Sequence, residues 1–221
     1  EALLLEKVQR LEVKEQERTT FERERYNDLM DYYTLWAHQI KTPIAASSLL
    51  VQDLEEQDIK KQLGQELFKI ESYVNLVLQY LRLESFHDDL VLNKENLEDL
   101  VKEVVKKYAI FFIQKGLTLN LHDLNRTIVT DKKWFMIILE QVLSNSLKYT
   151  QTGGIEIYCQ GDTLYLKDTG LGIKDSDILR VFERGFSGYN GRLTHQSSGL
   201  GLYLSKKIAN QLGNYLALES Q

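Results

Sequence analysis

The chain has 221 residues, 43% of them hydrophobic, and a formal net charge of −5 with a pI near 5.5. That suffices for one large or two modest domains with real cores, and it removes any global electrostatic case for direct nucleic acid binding. A single cysteine, Cys159, rules out an internal disulfide framework and is expected as a half-buried strand residue in a reducing compartment. The longest uninterrupted apolar runs, Tyr108 to Ile113 and Trp134 to Leu139, are six residues each, far short of the roughly 20 that cross a bilayer. The start at Glu1 without a signal-peptide pattern reads as an excised cytoplasmic piece of a longer protein.

From Glu1 to about Leu54 the pattern predicts one long helix with two registers. Leu4, Val8 and Leu11 begin an a/d series, Glu12 to Arg25 is almost wholly polar, and a second seam resumes out of phase at Tyr26, Met30, Tyr33, Ala37, Ile40 and Ile44. Two registers of similar energy would suit a bistable transmitting element. Within this helix lies the only proline, Pro43. It lacks the N–H for the carbonyl of Gln39 and crowds that carbonyl, so the helix should loosen beside His38. His38 and Thr42 fall outside the seam and are expected to point to solvent.

A polar turn around Glu55 to Asp58 leads to a second predicted helix with Ile59, Leu63, Leu67, Ile70, Val74, Val77, Leu78 and Leu81 along one face. Two helices cannot enclose a core this rich. A second copy of the hairpin would complete a four-helix bundle, so a parallel homodimer is expected.

Glycine divides the rest: Gly64 and Gly116 precede residue 150, and the other eleven of the thirteen follow it. The boundary falls near Phe86 to Asp89. Beyond it the chain reads as a short strand at Leu90 to Leu92, a helix from about Asn96 to Lys115, strands at Leu117 to Leu121 and Thr127 to Thr130, and a helix capped by Asp131. Strands at Gly154 to Gln160 and Thr163 to Lys167 follow, joined by Gly161-Asp162 as a hairpin turn. A glycine-rich loop, a helix from about Leu200 to Leu212 and a final strand near Tyr215 to Leu218 close an α/β two-layer sandwich.

The hexapeptide His38-Gln39-Ile40-Lys41-Thr42-Pro43 resembles the H-box of bacterial sensor histidine kinases. The resemblance implies that His38 accepts the γ-phosphoryl group of ATP, a task that suits a neutral imidazole with one lone-pair nitrogen free. Most of the family has an acid next, whereas Gln39 can hold the ring tautomer but cannot take a proton. Thr42 would position a water for removing phosphate from the partner protein.

Four further pieces match the ATP-binding fold shared by histidine kinases, DNA gyrase, the heat-shock chaperone of about ninety kilodaltons and the mismatch-repair ATPase. Asn145-Ser146-Leu147-Lys148-Tyr149 resembles the N-box, in which Asn145 would ligate Mg²⁺, Lys148 meet phosphate and Tyr149 face the base. Asp168-Thr169-Gly170-Leu171-Gly172-Ile173 resembles the G1 box, whose aspartate accepts a hydrogen bond from the adenine amino group. Val181-Phe182-Glu183-Arg184-Gly185-Phe186 is similar to the F-box, with Phe182 as anchor of a lid. Ser197-Ser198-Gly199-Leu200-Gly201-Leu202 resembles the G2 box, with Ser197 where glycine is usual and Ser198, Gly199, Leu200, Gly201 and Leu202 near phosphate. Gly185 to Ser198 is expected to stay mobile until nucleotide orders it.

Together these imply a transmitting helix over residues 1–30, a dimerisation and phosphotransfer domain over 31–87, and an ATP-binding catalytic domain over 88–221. They also imply a hinge at Phe86 to Asp89, a response-regulator partner and a membrane anchor outside this chain. Family members usually finish with another strand, so the end at Gln221 reads as a truncation. Leu35 to Pro43 looks like the Gram-positive subgroup that senses antimicrobial peptides, often through a transporter. A kinase-derived binding module, or a regulator dominated by phosphatase activity, is the alternative that Gln39 motivates.

Overall fold

The computed structural model describes residues 44–52, 54–83, 90–186 and 199–220, with Phe86 and scattered positions from 15 to 42. The chain divides into two compact units, Glu1–Glu84 and Ser85–Gln221.

In the first unit every described residue from 15 to 52 is helical. After a short connection at 54–56 the chain forms helix α1 (Gln57–Arg82), which starts without a side-chain cap at Glu56. The a/d seam of the preceding helix is visible where it is described. Ala37 and Ile44 are buried, and the Tyr26 hydroxyl donates to the carbonyl of Leu81 across the hairpin. Thr42 is exposed, as its f position requires, and Tyr33 is more open than a seam residue should be. Leu4, Val8, Leu11, His38, Gln39 and Pro43 lie outside the described residues.

The apolar face of α1 is wider than one seam. Leu67, Val74, Leu78 and Leu81 are partly or wholly buried, whereas Ile59, Leu63, Ile70 and Val77 are 36–46% exposed. At about 100° per residue these sets form two adjacent stripes. One is covered within the chain and the other is left open. Leu76, off this face, is also buried.

The second unit runs β1 (Asn93–Asn96), α2 (Leu97–Lys115), β2 (Thr118–His122), β3 (Thr127–Thr130), α3 (Lys132–Tyr149), β4 (Gly154–Gln160), β5 (Thr163–Asp168), a single turn α4 (Asp175–Ile178) and α5 (Gly201–Gln211). Strand β2 pairs parallel with β4, β4 antiparallel with β5, and β1 antiparallel with β3 in a separate two-stranded sheet. Gly161, at φ 56°, makes the hairpin turn that its sequence predicts. Helix α3 packs against α2, α5 and β5, so it lies at the centre of the helical layer.

Local chemistry explains these elements. Asn96 caps α2 by accepting from Asp99 N at 3.2 Å, and Gly116 ends it in the left-handed region at φ 63°. The inner face of α2 is Leu97, Leu100, Val101, Val104, Tyr108 and Phe112, and burial pushes the Tyr108 hydroxyl well above its ordinary pKa. Strand β4 alternates, with Ile155, Ile157 and Cys159 buried. Cys159 is therefore more enclosed than expected, and burial raises its pKa. On the opposite face His122, Tyr158 and Tyr165 stack in register across the three strands, with centroids 4.9 and 5.1 Å apart.

Two expected strands are corrected. The first lies at Asn93–Asn96 and not at Leu90 to Leu92, because pairing with β3 is a backbone matter that its polar residues satisfy, while Val91 N bonds a side chain. Tyr215 to Leu218 belongs to no ladder among the described residues. Its alternation is real, with Leu216 and Leu218 half-buried and Tyr215 and Ala217 exposed, but contacts hold it through side chains. Lys206 donates to the Leu216 carbonyl and Ile173 N donates to Ser220 Oγ at 2.7 Å.

Phe86, expected in a hinge, is fully buried in the second unit against Trp134, with centroids 4.9 Å apart. Residues 87–89 lie outside the described residues. Three residues before Trp134, Asp131 uses both carboxylate oxygens: Oδ1 accepts from Trp134 N at 3.1 Å, capping α3, and Oδ2 accepts from Val91 N at 2.8 Å. Replacing Asp131 by alanine removes the cap and leaves Val91 N without its acceptor, which should cost about 2–4 kcal/mol. Urea unfolding checks this, and a loss under about 0.5 kcal/mol, the range of an ordinary surface change, would reject the double role.

Candidate functional site

Three of the sequence motifs meet on the C-terminal half of α3. Ser146, 6% exposed, donates to Asp168 Oδ2 at 2.7 Å, and the N–H of Gly170 donates to Asp168 Oδ1 at 2.9 Å. The carbonyl of Tyr149 accepts from Leu171 N at 3.2 Å. Asp168 is the last residue of β5, and its exposed carboxylate is held at the end of the strand by one donor on each oxygen. Gly170 is required by space. A Cβ there would lie 2.7 Å from Asp168 Oδ1, 3.0 Å from the Tyr149 carbonyl and 3.1 Å from Thr150 Oγ1.

Asn145 and Tyr149 are half-buried in the last turns of α3. Lys148 is also half-buried, its Nζ 5.0 Å from the Tyr149 ring centroid. Burial pulls its pKa down from 10.5 to about 8. Lys115, the last residue of α2, donates to the carbonyls of Leu147 at 2.6 Å and Thr150 at 3.0 Å, and burial lowers its pKa too. Thr150 is fully buried, and its hydroxyl has no hydrogen-bond partner among the described residues.

The F-box-like and G2-like motifs join at their backbones. Gly185 N donates to the Gly199 carbonyl at 3.0 Å, and both glycines have positive φ, 74° and 66°. A Cβ on Gly199 would lie 2.4 Å from the Gly185 carbonyl carbon, so no other residue allows this approach. Gly201 opens α5, and a Cβ there would meet Gln141 Oε1 of α3 at 2.6 Å. Leu200 and Leu202 are half-buried beside it. Phe182 is half-buried, with Lys206 Nζ 5.3 Å from its ring centroid. Gly172 adopts φ 67°, and Ile173 is tied to Ser220. Ser197 and Ser198 lie outside the described residues, as do His38 and Gln39. The structure therefore brings the N-box-like, G1-like and G2-like segments onto one helix.

Sequence reasoning missed Ser146, Gln141, Lys115 and Thr150 as parts of this site. Ser146 had a signal, since it sits beside Asn145 inside the motif. Lys115 looked like a cation at the end of its own helix, and only the fold brings it to α3.

The chain residues 130–221 match the family described as histidine kinase-, DNA gyrase B-, and HSP90-like ATPase. The chain is 36% identical over 189 residues to the sensor protein BceS of Halalkalibacterium halodurans, covering 84% of this chain and 57% of that protein. It is 38% identical over 192 residues to the sensor histidine kinase GraS of Staphylococcus haemolyticus, covering 85% and 56%. Over most of its length the chain is thus similar to sensor histidine kinases. It spans a little over half the length of these sensor kinase relatives. Its fold is also similar to part of ShkA, solved full-length in complex with AMPPNP, at a TM-score of 0.59 and 21% identity over 83% of this chain and 41% of that one. As in such kinases, the second unit is an α/β sandwich.

Lys148 offers a direct check on the site's electrostatics. Its folded pKa lies below the unfolded value, so burying its charge opposes folding most below pH 8, and the opposition fades as pH rises from about 8 to 10.5. NMR of ¹³C-methylated lysines should give Lys148 a midpoint near 8 in the free chain. A midpoint near 10.5 would mean that the side chain is solvated and that this end of α3 is not the low-dielectric wall described.

Proposed function

We propose that the chain is the catalytic core of a sensor histidine kinase that binds Mg²⁺·ATP in its second unit and transfers the γ-phosphoryl group to His38. From there the group passes to an aspartate of a response regulator. The observation that carries this reading is the joining of the N-box-like segment, which carries Asn145 and Lys148, to the G1-like segment at one end of α3, with Ser146 donating to Asp168 and Leu171 N to the Tyr149 carbonyl, in a chain whose first unit contains the His38 to Pro43 hexapeptide.

The residues present fit such a ligand. Asp168 is an oriented acceptor for the amino group of a base, and Gly170 leaves open the space that a Cβ would fill. Lys148 supplies a partly desolvated positive charge to phosphate, where its attraction is stronger than in water. The side-chain oxygen of Asn145 is the hard ligand that would hold Mg²⁺, which supplies charge neutralisation across the phosphates when bound. Gly199 and Leu200 lead into the N-terminus of α5, which Gly201 and Leu202 open and whose backbone N–H groups favour anions, and Ser198 and Ile173 are further nucleotide-binding candidates from their motifs. Phe182 anchors the segment that leads to Gly185.

In the first step a His38 ring nitrogen forms a bond to phosphorus as the bond from phosphorus to the ADP oxygen breaks. The Gln39 amide oxygen holds the proton of the other ring nitrogen. Positioning and charge neutralisation do most of the work, as is general for phosphoryl transfer. Without an acid at Gln39, general-base help of roughly 10²–10⁴-fold is forgone. Thr42, exposed on its helix, would orient a water that hydrolyses the phosphoryl group from the partner protein, releasing inorganic phosphate. Gln39 also favours a second reading, a kinase-derived binding module or phosphatase-dominant regulator.

The domain limits proposed are 1–30 for the transmitting helix, 31–87 for dimerisation and phosphotransfer, and 88–221 for catalysis. The open stripe Ile59, Leu63, Ile70 and Val77 supports a homodimer closed as a four-helix bundle. Among the described residues no helix is long and apolar enough to cross a membrane. A membrane anchor, a transporter partner and membership of the antimicrobial-peptide-sensing subgroup are further parts of the proposal, supported by the likeness to BceS and GraS.

Incubation with γ-labelled ATP and Mg²⁺, wild type beside His38→Ala, tests the reading. Acid-labile, base-stable label on the wild type alone is expected. If ATP binds and neither protein is labelled, the second reading replaces the first, and Gln39→Glu should then restore labelling. Steady hydrolysis without phosphohistidine would instead mark a plain ATPase.

A further inference from the structure

Ser146 sits in the last turn of α3, and a serine there ordinarily returns its hydroxyl proton to the carbonyl four residues back. Here it spends that proton on Asp168 Oδ2 at 2.7 Å, 22 residues away, and it does so from a site only 6% exposed. Gly170 N takes the other oxygen at 2.9 Å. Two donors on opposite oxygens fix both the position and the plane of the carboxylate. A carboxylate oxygen accepts in more than one direction, so each keeps acceptor capacity toward the exposed side.

We infer that Ser146 is the positioning residue for base selectivity, aiming the Asp168 carboxylate so that the site takes a purine bearing an exocyclic 6-amino group and rejects its 6-oxo counterpart. This rests on the nucleotide reading above and names a residue that acts through Asp168. The chemistry discriminates by sign. A 6-amino group donates to the fixed acceptor, whereas a 6-oxo group sets two acceptors face to face, and a buried polar mismatch is far more costly than a missing contact. With Ser146 absent, the carboxylate keeps only the Gly170 donor and can rotate about its χ2. The 6-amino group then loses its aimed partner, and the 6-oxo group loses part of its repulsion.

The test is isothermal titration of the full chain with Mg·ATP and Mg·ITP, which differ in the 6-substituent. Wild type should prefer ATP. Ser146→Ala should shrink the ATP-to-ITP ratio by roughly 5- to 20-fold, mostly by weakening ATP, and Ser146→Thr, which keeps the hydroxyl, should restore much of it. In an Asp168→Asn background Ser146→Ala should change the ratio less than twofold, because its effect runs through the carboxylate. Equal weakening of ATP and ITP by Ser146→Ala would overturn the inference, leaving Ser146 a packing residue. So would an undiminished effect of Ser146→Ala in the Asp168→Asn background. A wild type that binds both nucleotides without preference would overturn it while leaving phosphoryl transfer intact, and a wild type that binds neither would overturn the nucleotide reading with it. Thermal unfolding of each variant confirms a folded chain, and if Ser146→Ala does not fold, Ser146→Cys, a weaker donor of similar size, carries the same comparison.

Discussion

The last turn of a helix leaves carbonyls with no partner inside the helix, and the second unit is arranged around satisfying those of α3. Ser146 O accepts from Thr150 N, Leu147 O from Lys115 and Tyr149 O from Leu171 N. One partner is the helix's own continuation, one comes from the end of α2 and one from the loop after β5. Three separate segments must therefore be in place before this helix end is satisfied. The same turn carries Asn145, Lys148 and Tyr149, so the candidate site is assembled by the requirement that completes the fold. The cation of Lys115 also offsets the partial negative charge of a helix C-terminus, where an anionic ligand would otherwise be poorly received.

The two stripes of α1 express a different constraint. Apolar area in water is unfavourable by about 25 cal/mol per Å², and the hairpin can cover only the stripe that faces its own first helix. Leu67, Val74, Leu78 and Leu81 find cover there, while Ile59, Leu63, Ile70 and Val77 do not. This separation explains why one helix carries so broad an apolar face.

Much of the second unit was legible in the sequence because its elements have local causes. The cap at Asp131, the turn at Gly161 and the alternation in β4 depend on neighbours within a few residues. The errors came where a distant partner decides. The strand at Asn93–Asn96 is polar and carries no strand pattern of its own, yet β3 supplies its ladder, and the alternation after Tyr215 looked like a strand but has no ladder to join among the described residues. In the site, Asn145, Asp168, Gly170, Gly199 and Gly201 were visible as motif residues, and the structure gives the glycines steric reasons. The residues that support them, Ser146, Lys115 and Gln141, were not, because the hydrogen bonds of Ser146 and Lys115 to distant positions and the close approach of Gln141 to Gly201 leave no periodic trace.

Asp131 gives α3 a mechanical character. The helix has 18 residues and contains neither glycine nor proline, so it is a stiff rod about 27 Å long. One end is moored by Asp131 to the backbone of the entering chain at Val91, and the other bears the side chains that face the candidate site. Such a rod acts as a lever arm. A tilt of about 5° at the moored end would sweep the far end through about 2 Å, more than the span over which a hydrogen bond survives. A small displacement of the incoming segment at Val91 is thus enough to open or complete the contacts to Asp168, with no change inside the helix.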